Sequence, residues 1–118
     1  MSKWLWAVIV LCLVPQNAGA QFVDGNKLLR WCESSSTSPE RLTCVGYIQA
    51  VSDTLDQVSG AIGVAECIPG GTETGQLRDV VVMYLRANPV IRSKSASGLV
   101  IGALIAAWRC SDWRRPQT

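Results

Sequence analysis

The chain has no histidine in its 118 residues. That absence removes the side chain that most often acts as a general base near neutral pH. With it go the Ser–His and Cys–His nucleophile pairs and the commonest zinc ligand. The five cysteines contain no C-x-x-C pair, so no metal-ligand spacing stands out. Gly70-Gly71-Thr72 lacks the Gly-Lys-Ser/Thr continuation of a phosphate loop and reads as a turn entering a helix. There is no basic stripe either, because 11 basic and 9 acidic residues nearly balance. Nucleic-acid binding, which depends on counterion release, is disfavoured. Asp53 and Asp56 stand three apart, but opposite an apolar stripe, so they read as a solvated face rather than a paired-carboxylate site. The residues therefore point away from an enzyme and name no cofactor and no metal.

Long hydrophobic runs are missing too. Leu5–Val14 is an uncharged apolar stretch of 10 residues, whereas a membrane-spanning helix needs about 20. Lys3 precedes it, Pro15-Gln16-Asn17 break it, and Ala18-Gly19-Ala20 fits the small-x-small cleavage rule. Residues 1–20 thus read as a secretory signal peptide cut after Ala20, leaving a single domain, residues 21–118, with no membrane segment. Cys12 departs with the signal. Cys32, Cys44, Cys67 and Cys110 remain, an even number in an exported chain, and predict two disulfides. Counting alone leaves three pairings open.

What is present is helical periodicity, punctuated by turn chemistry. A first helix starts at the N-cap Asp24, carries Leu28, Leu29 and Cys32 on one side, and ends in the Ser34–Ser38 run, whose short polar side chains compete for backbone hydrogen bonds. Ser38-Pro39 opens a second helix as cap and first-turn proline. Its stripe is Cys44, Ile48, Val51, Leu55 and Val58, and it stops by Gly60. A loop with Gly63, Pro69 and Gly70 leads to a third helix capped by Thr72 or Thr74 and carrying Leu77, Val80, Val81, Tyr84 and Leu85. Val80–Val82 would also suit a strand, but Leu77 and Leu85 extend the helical period on either side. Asn88-Pro89 terminates this helix. Ser95 starts a fourth, with Ala96, Leu99, Val100, Ala103, Leu104 and Ala107 on one face. Gly98, Gly102 and Ala106 line another face and are the expected contact of a homodimer.

The expected fold is all-α, a small four-helix domain stapled by two disulfides. Antiparallel packing of successive helices would bring Cys32 to Cys44 and Cys67 to Cys110, since bridged Cα atoms must lie within about 7 Å. Of the tryptophans, Trp31 and Trp108 suit the core, and Trp113 beside Arg114 and Arg115 is the one suited to a partner. The segment Asn88–Lys94 is a connector held by helices at both ends, with Val90 and Ile91 flanked by Arg92 and Lys94. Its apolar tip suits insertion into a partner's cleft. The alternative is that Val90 and Ile91 tuck beneath the loop as core.

Blocks in one order carry a family resemblance: Gly25-Asn26-Lys27-Leu28-Leu29 with Cys32; Cys44-Val45-Gly46-Tyr47-Ile48 with Val51 and Asp53; Cys67-Ile68-Pro69 with Gln76-Leu77; Tyr84-Leu85 with Pro89; Ala96, Leu99-Val100, Ala103-Leu104 and Cys110. The chain resembles the Rap/Tai family of type VI secretion amidase immunity proteins. It departs from that pattern at Ala50, where glycine is usual, at Asn88, where histidine often precedes the proline, and at Trp108-Arg109, which replaces Phe-Pro. The resemblance implies a helical periplasmic protein, often a homodimer, that binds a peptidoglycan amidase effector and blocks its cleft. The other function compatible with an exported, non-catalytic helical domain is a periplasmic structural or envelope-stress helper with no toxin partner.

After periplasmic expression, intact mass and thiol titration should give a chain that starts at Gln21 and has no free thiol. Two or more titratable thiols in the folded protein would refute the two-disulfide reading.

Overall fold

A computed structural model describes residues 22–61 and 68–108. These form four α-helices: α1 Gly25–Glu33, α2 Pro39–Ala61, α3 Thr74–Ala87 and α4 Ala96–Trp108. A single 3-10 turn, Pro89–Ile91, lies between α3 and α4. No strand occurs among the described residues, so the all-α expectation holds; Val80–Val82 belong to α3. Each helix touches the other three around one core. α1 supplies Leu28, Leu29 and Cys32; α2 supplies Cys44 and Ile48; α3 supplies Leu77, Val81, Val82 and Leu85; α4 supplies Ala96, Leu99, Val100, Ala103 and Leu104. Trp31 and Trp108 pack half-buried against this core.

The helix starts follow local chemistry. Asp24 has extended backbone and its carboxylate accepts from the Lys27 N–H at 2.8 Å. Ser38 Oγ accepts from the Arg41 N–H at 3.2 Å, with Pro39 in the first turn of α2. The start of α3 corrects the expected cap. Glu73 holds that position, and its N–H donates to Gln76 Oε1 at 2.9 Å. The two threonines are engaged elsewhere: Thr72 Oγ1 donates to the Pro69 carbonyl at 2.7 Å, and Thr74 Oγ1 accepts from Gln49 Nε2 at 3.0 Å. Burial corrects the helix faces as well. Cys44 and Ile48 are buried, but the α2 stripe opens outward until Val58 is exposed, and Ala107 on α4 is exposed too.

Cys32 and Cys44 form a disulfide, with Cα atoms 5.1 Å apart. In the loop-entropy account, a bridge across this separation of 12 residues contributes about 3 kcal/mol. The expected partners Cys67 and Cys110 lie outside the described residues, as do residues 1–21 and Trp113 with its two arginines. No helix among the described residues is long and apolar enough to cross a membrane.

The C-terminal end of α1 is held by arginines. Arg78 of α3 donates to the Cys32 carbonyl from Nη2 at 2.8 Å and from Nε at 3.2 Å. Arg41 of α2 donates from Nη2 to the Ser34 carbonyl at 2.8 Å. These bonds satisfy carbonyls that a helix end leaves without internal partners. Arg86 pairs with Glu33 at 2.7 Å, but both side chains are well exposed, at 61% and 40%, against 21% for Arg78. Exposure decides their relative weight.

Arg78→Met keeps the apolar stem and strips the Cys32 carbonyl of both donors. It should lower unfolding free energy in urea by roughly 1–3 kcal/mol. Arg86→Met should lower it by no more than about 1 kcal/mol. Equal losses would mean that the exposed ion pair matters as much as the capped carbonyl.

Candidate functional site

The segment after α3 is shaped by its own sequence before any tertiary contact. Asn88 precedes a proline and leaves the helical region, at φ −124° and ψ 61°. Its Nδ2 donates to the Tyr84 carbonyl at 2.8 Å, closing the last turn of α3. The Ile91 N–H donates to the Asn88 carbonyl at 3.3 Å and the Lys94 N–H to the Ile91 carbonyl at 2.9 Å, so two successive turns carry the chain to Ser95.

The N-terminus of α1 then fastens this segment. The Gly25 N–H donates to the Lys94 carbonyl at 3.1 Å and the Asn26 N–H to the Arg92 carbonyl at 3.0 Å. In return the Ala96 N–H donates to the Val23 carbonyl at 2.9 Å, across an antiparallel bridge between Asp24 and Ser95. With Lys27 bonded to Asp24, the first three N–H groups of α1 are all satisfied, two of them by the segment itself. The approach is close because residue 25 has no side chain. A Cβ there would run into Leu99 Cδ1 and stand 2.8 Å from the Arg92 carbonyl oxygen.

Within this frame the five residues expected to meet a partner separate. Val90 points outward and is 89% exposed. Ile91, one residue on, is half-buried and packs against the core. Core packing therefore holds for Ile91 and not for Val90. Lys94 is exposed, whereas Asn88 and Arg92 are half-buried, and Arg92 Nε is enclosed without a hydrogen-bond partner. The role of Gly25 was not apparent in the sequence. A glycine directly after a capping aspartate was the available signal, since nothing else at that position asks for a missing side chain.

The row Gly98, Gly102 and Ala106 also divides. A Cβ on Gly98 would meet nothing within 4 Å. Gly102 faces Tyr84 of the same chain, whose hydroxyl oxygen would lie 3.1 Å from a Cβ. Ala106 lies with Val80 and Met83 along a shallow groove between α3 and α4. A larger groove, of about 460 Å³, runs between α2 and α4 beneath Tyr47, Ala50, Val51, Leu55, Val58, Ser97 and Ile101, and its walls are almost wholly apolar. The sequence had assigned several of these α2 residues to the core. Asp53 and Asp56 are exposed beside a separate polar depression. Among the described residues no three acidic, cysteine or histidine side chains gather as a metal set.

Two features stand out in this geometry, a fixed turn with an apolar apex and an open apolar groove. A family model described as Rap1a immunity proteins matches residues 24–110, from the α1 cap to the last cysteine. No curated protein and no solved structure matches the chain. The matched span covers all four helices and well over half of the sequence, and the chain therefore belongs to the Rap1a immunity protein family, an inhibitor family whose members bind a toxin effector protein.

Proposed function

We propose that this protein is exported to the periplasm, loses residues 1–20, and there binds a type VI secreted peptidoglycan amidase, blocking its cleft without catalysing a reaction itself. The observation that carries this reading is Val90, 89% exposed at the apex of a turn anchored at both ends. An exposed valine on a soluble domain is ordinary by itself. One held on a turn whose backbone is already bonded to another helix presents apolar area at little further ordering cost, which is what a tight plug requires. Exposed Lys94 lies four residues on and adds a positive charge beside the tip. A cleft that accepts wall peptides with acidic groups suits an apolar tip with a basic neighbour.

The second element of the proposal is a homodimer formed through the α2–α4 groove. α4 has no charged residue between Ala96 and Trp108. A helix that is apolar all round is characteristic of a buried position, yet Gly98 is open to solvent and Ser97 and Ile101 are only half-buried. An immunity protein has to persist before any toxin arrives. A permanently uncharged face is therefore better matched to a second copy than to an occasional partner, since lasting interfaces are the more hydrophobic ones.

Val90→Asp should leave helicity and melting unchanged and weaken inhibition of the type VI amidase effector of the same cell, assayed on purified wall, by tenfold or more, about 1.4 kcal/mol. Ile91→Asp should instead destabilise the fold. Full inhibition by a folded Val90→Asp protein would sink the contact. For the dimer, Ile101→Glu and Val58→Glu should each sediment as folded monomers where the parent sediments as a dimer. A parent and variants of identical mass in solution would remove the groove as an interface.

A further inference from the structure

We infer that Gly25 is a positioning residue for toxin binding, and that the four-residue stretch from Val23 to Asn26 works as a clasp setting the shape of the Val90 turn. The inference rests on the reading that this turn is the toxin contact. It adds that inhibition is governed from the opposite end of the sequence, by residues that do not themselves reach a toxin through the turn's apex.

Three hydrogen bonds carry the argument. Those from the Gly25 and Asn26 N–H groups end on the Lys94 and Arg92 carbonyls, and the one from the Ala96 N–H returns to Val23. Together they bracket the exit of the turn on both sides of Ser95. Its entry is held separately, by Asn88 on the Tyr84 carbonyl and by Pro89. Without the clasp the exit would lose its three bonds to the start of α1 and rest on short-range bonds such as that from Lys94 to Ile91. The Val90 apex would then be held less firmly at its exit than at its entry, and a binding-competent shape populated for only a fraction of the time weakens apparent affinity by that fraction.

Gly25 makes the clasp possible for a steric reason. Its backbone torsion asks for nothing unusual, and glycine in the first turn of a helix lowers intrinsic helix propensity. What the position lacks is room: a single added methyl group meets Leu99 and comes to 2.8 Å from the Arg92 carbonyl oxygen. That oxygen is the acceptor for the neighbouring Asn26 N–H. A side chain at residue 25 therefore pushes directly on the bonded strand of the turn, and the backbone there is less able to yield than the end of a flexible side chain.

The test compares Gly25→Ala with Val90→Asp and with Ile48→Val, a buried α2 change away from the clasp. Each purified mature protein is titrated against the same amidase, and backbone amide exchange is followed. Gly25→Ala should keep its helical circular dichroism, speed exchange at Asn26 and Ala96 relative to the Ile48 region, and raise Kd by roughly tenfold or more. Ile48→Val should lower the melting temperature with Kd unchanged. Should Gly25→Ala fail to fold, a mature chain beginning at Asp24 removes the Val23 acceptor while keeping the helix cap, and the same exchange and Kd changes are expected. Unchanged affinity in the folded clasp variant, or an equal loss in Ile48→Val, would overturn the positioning role. A loss in Gly25→Ala without one in Val90→Asp would overturn the turn as the contact and leave the clasp as the determinant of binding.

Discussion

A helix of nine residues is too short to persist in water unless both of its ends are satisfied. α1 meets that condition through contacts distant in sequence, and the rest of the domain is arranged around them. Its first N–H groups are met by Asp24 and by the carbonyls of residues 92 and 94. Its last carbonyls are met by Arg78 and by the Ser34 turn that Arg41 holds, and its last buried residue is bridged to Cys44. The second helix, the third helix and the α3–α4 connection are therefore all committed to α1. Leu28 and Leu29, at its centre, sit where these commitments converge.

This arrangement separates two kinds of surface. The end of the domain that carries the clasp presents Val90, with polar and basic residues around it, a composition that tolerates water until a partner displaces it. The α2–α4 side is different in kind. α4 brings no charge to it, α2 brings Tyr47, Val51, Leu55 and Val58, and the resulting groove is open.

Much of the fold was legible because it depended on local chemistry. Asp24, Ser38-Pro39 and Asn88-Pro89 mark helix ends by side-chain capping or by proline sterics, and Ser95 marks the start of α4 through its backbone carbonyl, which accepts from the Leu99 N–H; each acts within four residues of itself. The Cys32–Cys44 bridge followed from helix ends that a short connection must bring together. The α3 cap differs from the expected threonine for one non-local and one local reason. Thr74 was drawn to Gln49 on another helix and Thr72 to the Pro69 carbonyl, which left Glu73 and Gln76 to close the turn.

The sequence by itself determined the helices, their order and the absence of histidine chemistry, because periodicity, capping and side-chain inventory are properties of neighbouring residues. Only the tertiary structure decided which apolar residues stay outside. Val90 and Ile91 are adjacent and alike in hydropathy, and their opposite fates follow from a turn whose orientation is set by backbone bonds to residues more than sixty positions earlier. Val58 continues a stripe that is buried at Cys44 and Ile48 and half-buried at Val51 and Leu55, yet it is exposed while its neighbour Ser59 is buried, so the buried face of α2 does not follow the apolar spacing to its end. Gly25 looked like any glycine until the fold placed Leu99 and the Arg92 carbonyl where its side chain would have been. Burial and close approach are set by what the rest of the chain brings to a position, and one-dimensional spacing does not contain that information.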